Sequence, residues 1–100
     1  MVLAVFRTRT DPDTLVEYGR LAEEMSALAC TMPGYISHKG YGAEDGEVLI
    51  LVEFESEETM RNWGRDPRHL VVQRRGPEFF LEYRLQICNV IRESSHKREG

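Results

Sequence analysis

Several kinds of signal are missing from this sequence. There is no Cys-x-x-Cys pair, no GxGxxG or P-loop glycine pattern, no GxSxG and no HExxH. Nucleotide cofactors therefore have no visible docking motif. Only two cysteines occur, Cys30 and Cys88, and neither has a second Cys or a His at ligand spacing. They read as reduced, buried thiols of a cytoplasmic protein. Long apolar runs are missing too: Met1 to Phe6 is apolar, but Arg7 and Arg9 break the run. That is too short for a signal-peptide core or a membrane span. Basic charge is not in excess. Thirteen Lys and Arg against seventeen Asp and Glu leave a formal charge of −4, which disfavours nucleic-acid backbones and anionic lipid. One hundred residues suffice for a single core and no more.

What is present is a regular alternation of strand and helix signals. Val2 to Thr8 is rich in β-formers. Asp11-Pro12 supplies an N-cap and a first-turn proline, and Leu15, Tyr18, Ala22, Met25, Ala29 and Met32 follow at helical steps. Pro33-Gly34 stops that helix. Tyr35 to Tyr41 reads as a strand with Tyr35, Ser37, Lys39 and Tyr41 on one side and Ile36 and His38 on the other. The polar stretch Gly42 to Gly46 predicts a hairpin, followed by the strand Val48 to Phe54. Ser56 caps a short helix, Glu57 to Trp63. Asp66-Pro67 begins another, which Gly76-Pro77 ends. Glu82 to Arg92 is the last strand, and residues 93–100 form a polar tail beyond a domain of residues 1–92.

The order β-α-β-β-α-β predicts an α+β, ferredoxin-like fold: a four-stranded antiparallel sheet with helices on one face. Val48, Ile50 and Val52 face one way and Leu49 and Leu51 the other. Helices cover only one side, so the second apolar side calls for a cover. A second copy of the chain, meeting it about a two-fold axis, is the simplest one.

Chemistry-bearing side chains cluster late in the chain. His69, Val72, Gln73 and Gly76 share a helical stripe, Trp63 precedes it, and Tyr83 opens the last strand. A pocket between sheet and helices built from these groups suits a small aromatic molecule. In it His69 serves as base or hydrogen-bond donor to a phenol. Taken alone, His69 also reads as an exposed residue of the first helical turn. His38 shares a strand side with Ile36 and so faces either this cavity or the contact between copies. Two internal histidines without ligand spacing argue against a metal.

The chain resembles the antibiotic biosynthesis monooxygenase family. The resemblance is carried by Met32-Pro-Gly-Tyr35, Asp45-Gly-Glu47, Val52-Glu-Phe-Glu-Ser56, Trp63, Asp66-Pro-Arg-His69, Gln73, Gly76 and Tyr83-Arg-Leu-Gln-Ile-Cys88. It implies a homodimer, a dimeric α/β barrel in which two sheets meet face to face, with a ligand cavity in each subunit. Some members oxidise aromatic polyketides to quinones with dioxygen, using no metal or flavin. On that pattern Trp63, His69 and Tyr83 are the catalytic candidates, and Asn62, Gln73, His38 and Arg84 the substrate-binding ones. A non-catalytic binding or stress-response domain of the same fold is the alternative. A haem-degrading branch uses an Asn at the end of the first strand, a Trp on the second helix and an iron-ligating His about three turns on. Here Trp63 matches, but Gln73 stands at the ligand position and Phe6-Arg-Thr-Arg9 holds no Asn, so haem and its degradation are the disfavoured alternative and no cofactor is expected. A nucleic-acid-binding role of the same topology is rejected because Val48 to Phe54 lacks the RNA-recognition aromatics.

Overall fold

The computed structural model describes residues 1–99; Gly100, the end of the expected tail, lies outside the described residues. Four strands, β1 (Val2–Thr10), β2 (Tyr35–Gly42), β3 (Val48–Phe54) and β4 (Phe80–Asn89), form one antiparallel sheet in the order β2-β3-β1-β4. Helix α1 (Leu15–Thr31) joins β1 to β2, preceded by a 3-10 turn at Pro12–Thr14. Three short helices, α2 (Glu57–Gly64), α3 (Pro67–Arg74) and α4 (Gly76–Phe79), join β3 to β4. This is the ferredoxin-like α+β arrangement.

Register assigns the two sheet faces. Val2 pairs with Phe54, Ala4 with Val52 and Phe6 with Ile50. Val2, Ala4, Val52 and Phe54 are buried and pack with Met60 of α2, so this is the helix-covered face. The opposite face carries Leu3, Val5, Leu49 and Leu51, with Arg7 bonded to Glu47 at 3.0 Å beside them. Arg9 reaches from β1 to the hairpin, donating to the Asp45 carbonyl at 2.9 Å and its carboxylate at 2.8 Å. The hairpin is thereby held from outside its own sequence.

The polar end of α1 and the start of α2 are knitted by one turn. Gly34 takes φ +84°, and its carbonyl accepts from the Glu55 amide at 2.8 Å. Directly above it, Ser56 and Thr59 cap α2 reciprocally. Ser56 Oγ accepts from the Thr59 amide at 3.1 Å, and Thr59 Oγ1 accepts from the Ser56 amide at 3.2 Å. A side-chain carbon on Gly34 would lie 2.5 Å from Thr59 Cβ. This contact fixes where α2 begins, and hence where Met60 and Trp63 descend onto the sheet.

Several expectations need correction. The Gly76-Pro77 stop is a single helical turn, α4, sharing Arg75 with the end of α3. Strand β1 runs two residues further than read from sequence, because Arg9 and Thr10 find partners in Glu82 and Phe80. Strand β4 starts at Phe80 and ends at Asn89, not Arg92. Val2 is the last paired partner on β1, and one further bond, from the Val90 amide to the Met1 carbonyl at 3.1 Å, closes the ladder. Tyr35 is not on the side of Ser37. The β2–β3 register shifts between them, so Tyr35 lies opposite Phe54 on the helix-covered face, together with His38 opposite Val52. Leu15 is exposed, and the buried residues of α1 are Leu28 and Ala29. Both cysteines are exposed: Cys30 follows the buried Ala29, and Cys88 lies opposite Leu3 on the uncovered sheet face. The helices also leave β4 bare on their own side. Tyr83, Leu85 and Ile87 are 57%, 54% and 50% exposed although register puts them on the face of Phe6 and Ala4.

Gly34→Ala should destabilise the fold by about 2–4 kcal/mol, the sum of a left-handed backbone and the overlap with Thr59. Gly46, at φ +92°, has open space at its Cβ position, so Gly46→Ala should cost only about 1 kcal/mol. Urea unfolding of both variants checks this; equal losses would remove the Thr59 contact as the cause.

Candidate functional site

The site grows from the end of β3. Phe54 is fully buried there. Nearly two turns into α2, Trp63 stacks on it with ring centroids 5.5 Å apart and planes 23° apart. A tight corner follows, in which the Asp66 amide bonds the Trp63 carbonyl at 3.1 Å. Asp66 caps α3 by accepting from the Arg68 amide at 2.9 Å, and Pro67 occupies the first turn. That cap sets His69 in the first turn of α3, where its ring stacks on Trp63 at 4.4 Å and 26°. The result is a three-ring pile of Phe54, Trp63 and His69.

Polar groups complete it. Gln73, one turn after His69, places its amide nitrogen 2.8 Å from the Gly64 carbonyl and 2.6 Å from His69 Nδ1. Across Phe54, Tyr35 meets that ring edge-on at 6.0 Å, and its hydroxyl lies 2.5 Å from His38 Nδ1. The Trp63 indole nitrogen is buried with no hydrogen-bond partner among the described residues. An N–H in that state forgoes roughly 1–3 kcal/mol relative to a bonded one.

Burial governs the ionisation here. It pushes the His69 pKa below the ordinary 6.5, partly opposed by the Gly64 carbonyl and the Asp66 carboxylate. At neutral pH His69 is therefore an uncharged imidazole. Burial also pushes the Tyr35 phenol up, with a contribution from the Cys30 thiol beside it.

Of the residues singled out from sequence, His69, Trp63 and Gln73 come together, and His38 joins their edge through Tyr35 and Phe54. Asn62 is exposed on α2. Tyr83 does not join them. It pairs through Thr8, six residues along β1 from Val2, so it stands roughly 20 Å away along the strand, packed against Phe6 and Phe80. Arg84 lies on the opposite sheet face, in register with Arg7. Sequence reasoning missed Tyr35 and Phe54. Phe54 was visible as the end of an apolar strand, whereas the bulge that turns Tyr35 inward left no signal. Two hollows lie away from this cluster. One, of about 620 Å³, runs between α1 and α3 along Leu21, Met25, Leu28 and Val72. The other, of about 350 Å³, is lined by Arg7, Glu47, Glu82, Tyr83 and Arg84. Among the described residues no group of three or more His, Cys, Asp or Glu is placed to hold a metal ion.

Comparison with known families gives a match to the family described as antibiotic biosynthesis monooxygenase, over residues 1–75. The chain belongs to the antibiotic biosynthesis monooxygenase family. The matched segment contains Phe54, Trp63, His69 and Gln73. No curated protein matches the sequence. Among solved structures, a Mycobacterium tuberculosis protein superposes with a TM-score of 0.83 at 19% identity, over 94% of this chain and 98% of the other. A conserved protein from Methanosarcina mazei gives 0.78 at 16%, over 87% and 89%. SnoaB, a cofactor-independent oxygenase from Streptomyces nogalater, gives 0.77 at 13%, over 92% and 94%. Identities this low carry the family fold alone.

Because the folded His69 binds its proton less readily than an unfolded histidine, its contribution to stability is complete above pH 6.5 and is lost as the pH falls through its folded value. Wild type minus His69→Gln stability, measured by denaturant titration, should therefore decline on acidification below 6.5. Trp63 is the sole tryptophan, so its fluorescence should report the same protonation, with a midpoint under 6.5 that His69→Gln abolishes. A midpoint at or above 6.5 would contradict the buried, neutral imidazole.

Proposed function

We propose that this family member is a homodimeric, cofactor-independent monooxygenase that oxidises a small electron-rich aromatic compound with dioxygen. The observation that carries the reading is the buried Trp63 N–H without an acceptor, stacked against a neutral, half-buried His69. An unsatisfied donor beside an uncharged imidazole provides hydrogen bonding for an oxygen atom brought in by a ligand. The fold is shared with an oxygenase that works without a cofactor, and the chemistry suits such a site. When a phenolic ring methylene becomes a carbonyl, the substrate gives up four electrons. One oxygen atom of dioxygen enters the product and the other leaves as water with the two displaced hydrogens. No external reductant is required. The protein has only to hold the substrate, stabilise its anion and exclude water.

In this reading the aromatic body rests on the bare helix-side strip of β4, at Leu85 and Ile87. That strip is two strand spacings, about 10 Å, from the row of Phe54. Its oxygen is hydrogen-bonded by Trp63 and His69, with Gln73 and His38 behind them. Tyr83 and Arg84 belong to this strand and lie toward its far end, opposite Thr8 and Arg7. The uncovered side of the sheet, with Leu3, Val5, Leu49 and Leu51, is the surface through which two copies meet as a dimeric barrel; at about 25 cal/mol per Å² an apolar contact of several hundred Å² suffices to hold them before association costs. No helix among the described residues is long and apolar enough to cross a membrane. A cytoplasmic site of action, with residues 1–92 as the working domain, is part of the same proposal.

Oxygen-electrode assays with anthrone- and hydroquinone-type compounds should show enzyme-dependent uptake. Trp63→Phe and His69→Ala should each lower kcat/KM about a hundred-fold. Tight ligand retention without uptake across the panel would replace the enzyme by a carrier. Sedimentation should give a particle of twice the 11.6 kDa chain mass, and Leu51→Glu should yield a folded single copy; a wild-type single copy at micromolar concentration would remove the dimer.

A further inference from the structure

The hydrogen bonds of Gln73 contain more than a packing contact. A single atom, Nε2, lies 2.8 Å from the Gly64 carbonyl oxygen and 2.6 Å from His69 Nδ1. The amide cannot be turned the other way. Its own oxygen would then face the Gly64 oxygen, two acceptors at hydrogen-bond distance with no proton between them. The NH₂ group therefore donates one hydrogen to the carbonyl and the other to His69 Nδ1. A ring nitrogen that accepts a hydrogen bond carries no proton. In a neutral imidazole the proton then sits on Nε2, at the far edge of the ring. The spacing of the two residues, one turn apart on α3, makes the contact a property of the helix.

We infer that Gln73 is a positioning residue that holds His69 as its Nε2–H tautomer, so that this histidine meets a ligand as a hydrogen-bond donor and not as a base. The inference rests on the pocket reading above and deepens it, because it names the class of ligand atom. An N–H donor matches a carbonyl, phenolate or enolate oxygen and is mismatched to a neutral hydroxyl offering its proton. The substrate then loses its proton to water, and His69 with Trp63 stabilises the resulting oxyanion. Protonating Nδ1 would set a ring N–H against the amide hydrogens of Gln73, so the imidazolium is disfavoured by geometry as well as by burial. Two groups favour the protonated ring against this: the Gly64 carbonyl, which competes with Gln73 for a ring N–H, and then Asp66, in the cap of the same helix.

Two-bond ¹H–¹⁵N correlation spectra of the labelled, ligand-free protein read the tautomer directly. Wild type at neutral pH should show His69 protonated at Nε2 alone. Gln73→Glu offers Nδ1 only an acceptor, so it should move the proton to Nδ1 and raise the His69 titration midpoint. Gln73→Leu should relax the ring to the mixture of tautomers seen for free histidine. A merely structural role for Gln73, which is exposed, would leave all three signatures alike. Wild type protonated at Nδ1, or Gln73→Glu indistinguishable from wild type, overturns the inference. The measurement uses no substrate, so its failure is separable from a failure of the oxygenase reading, which the uptake assay reports.

Discussion

The burial of Phe54 is the constraint on which the rest of the structure turns. The ring has no contact with water and sits where β3 ends, opposite Val2 on one side and Tyr35 on the other. Trp63 lies flat on it and Tyr35 meets its edge. Two chain segments that are distant in sequence, the turn after α1 and the helix after β3, are thus brought to one ring. The Gly34–Thr59 approach and the Ser56–Thr59 cap then admit a single placement of α2 above it. An aromatic ring of this size stabilises by roughly 2–3 kcal/mol through burial alone. Its larger consequence is geometric, because every group of the candidate site is placed relative to it.

The same burial decides the chemistry available. A charged imidazole is penalised where His69 sits, and a charged phenolate is penalised at Tyr35. His69 and Tyr35 are consequently uncharged at physiological pH and act through hydrogen bonds.

Much of the fold was legible in the sequence because the signals were local. Asp11-Pro12, Pro33-Gly34, Ser56 and Asp66-Pro67 each mark an element boundary by their own stereochemistry, and each stands where a boundary is found. The paired faces of Val48 to Phe54 follow from strand alternation alone. Boundaries set by partners were not legible. Strand β1 extends to Thr10 and β4 halts at Asn89 because of what lies opposite them, and alternation within one segment carries no information about its neighbour. Of the site, the stripe of His69 and Gln73 could be read from helical spacing. The distance of Tyr83 and Arg84 from it could not, because only the register of β4 on β1 fixes how far along the sheet they fall.

The irregularity between Tyr35 and Ser37 has a comparative consequence. It acts as a phase shift: side chains before and after it obey opposite parity, so Tyr35 and His38 share a side although three positions separate them. A family member one residue shorter at this point would keep a similar sequence and an unbroken strand, yet would turn the phenol out of the interior and leave the imidazole alone there. Alignments drawn without a gap across this position would equate residues that face opposite ways.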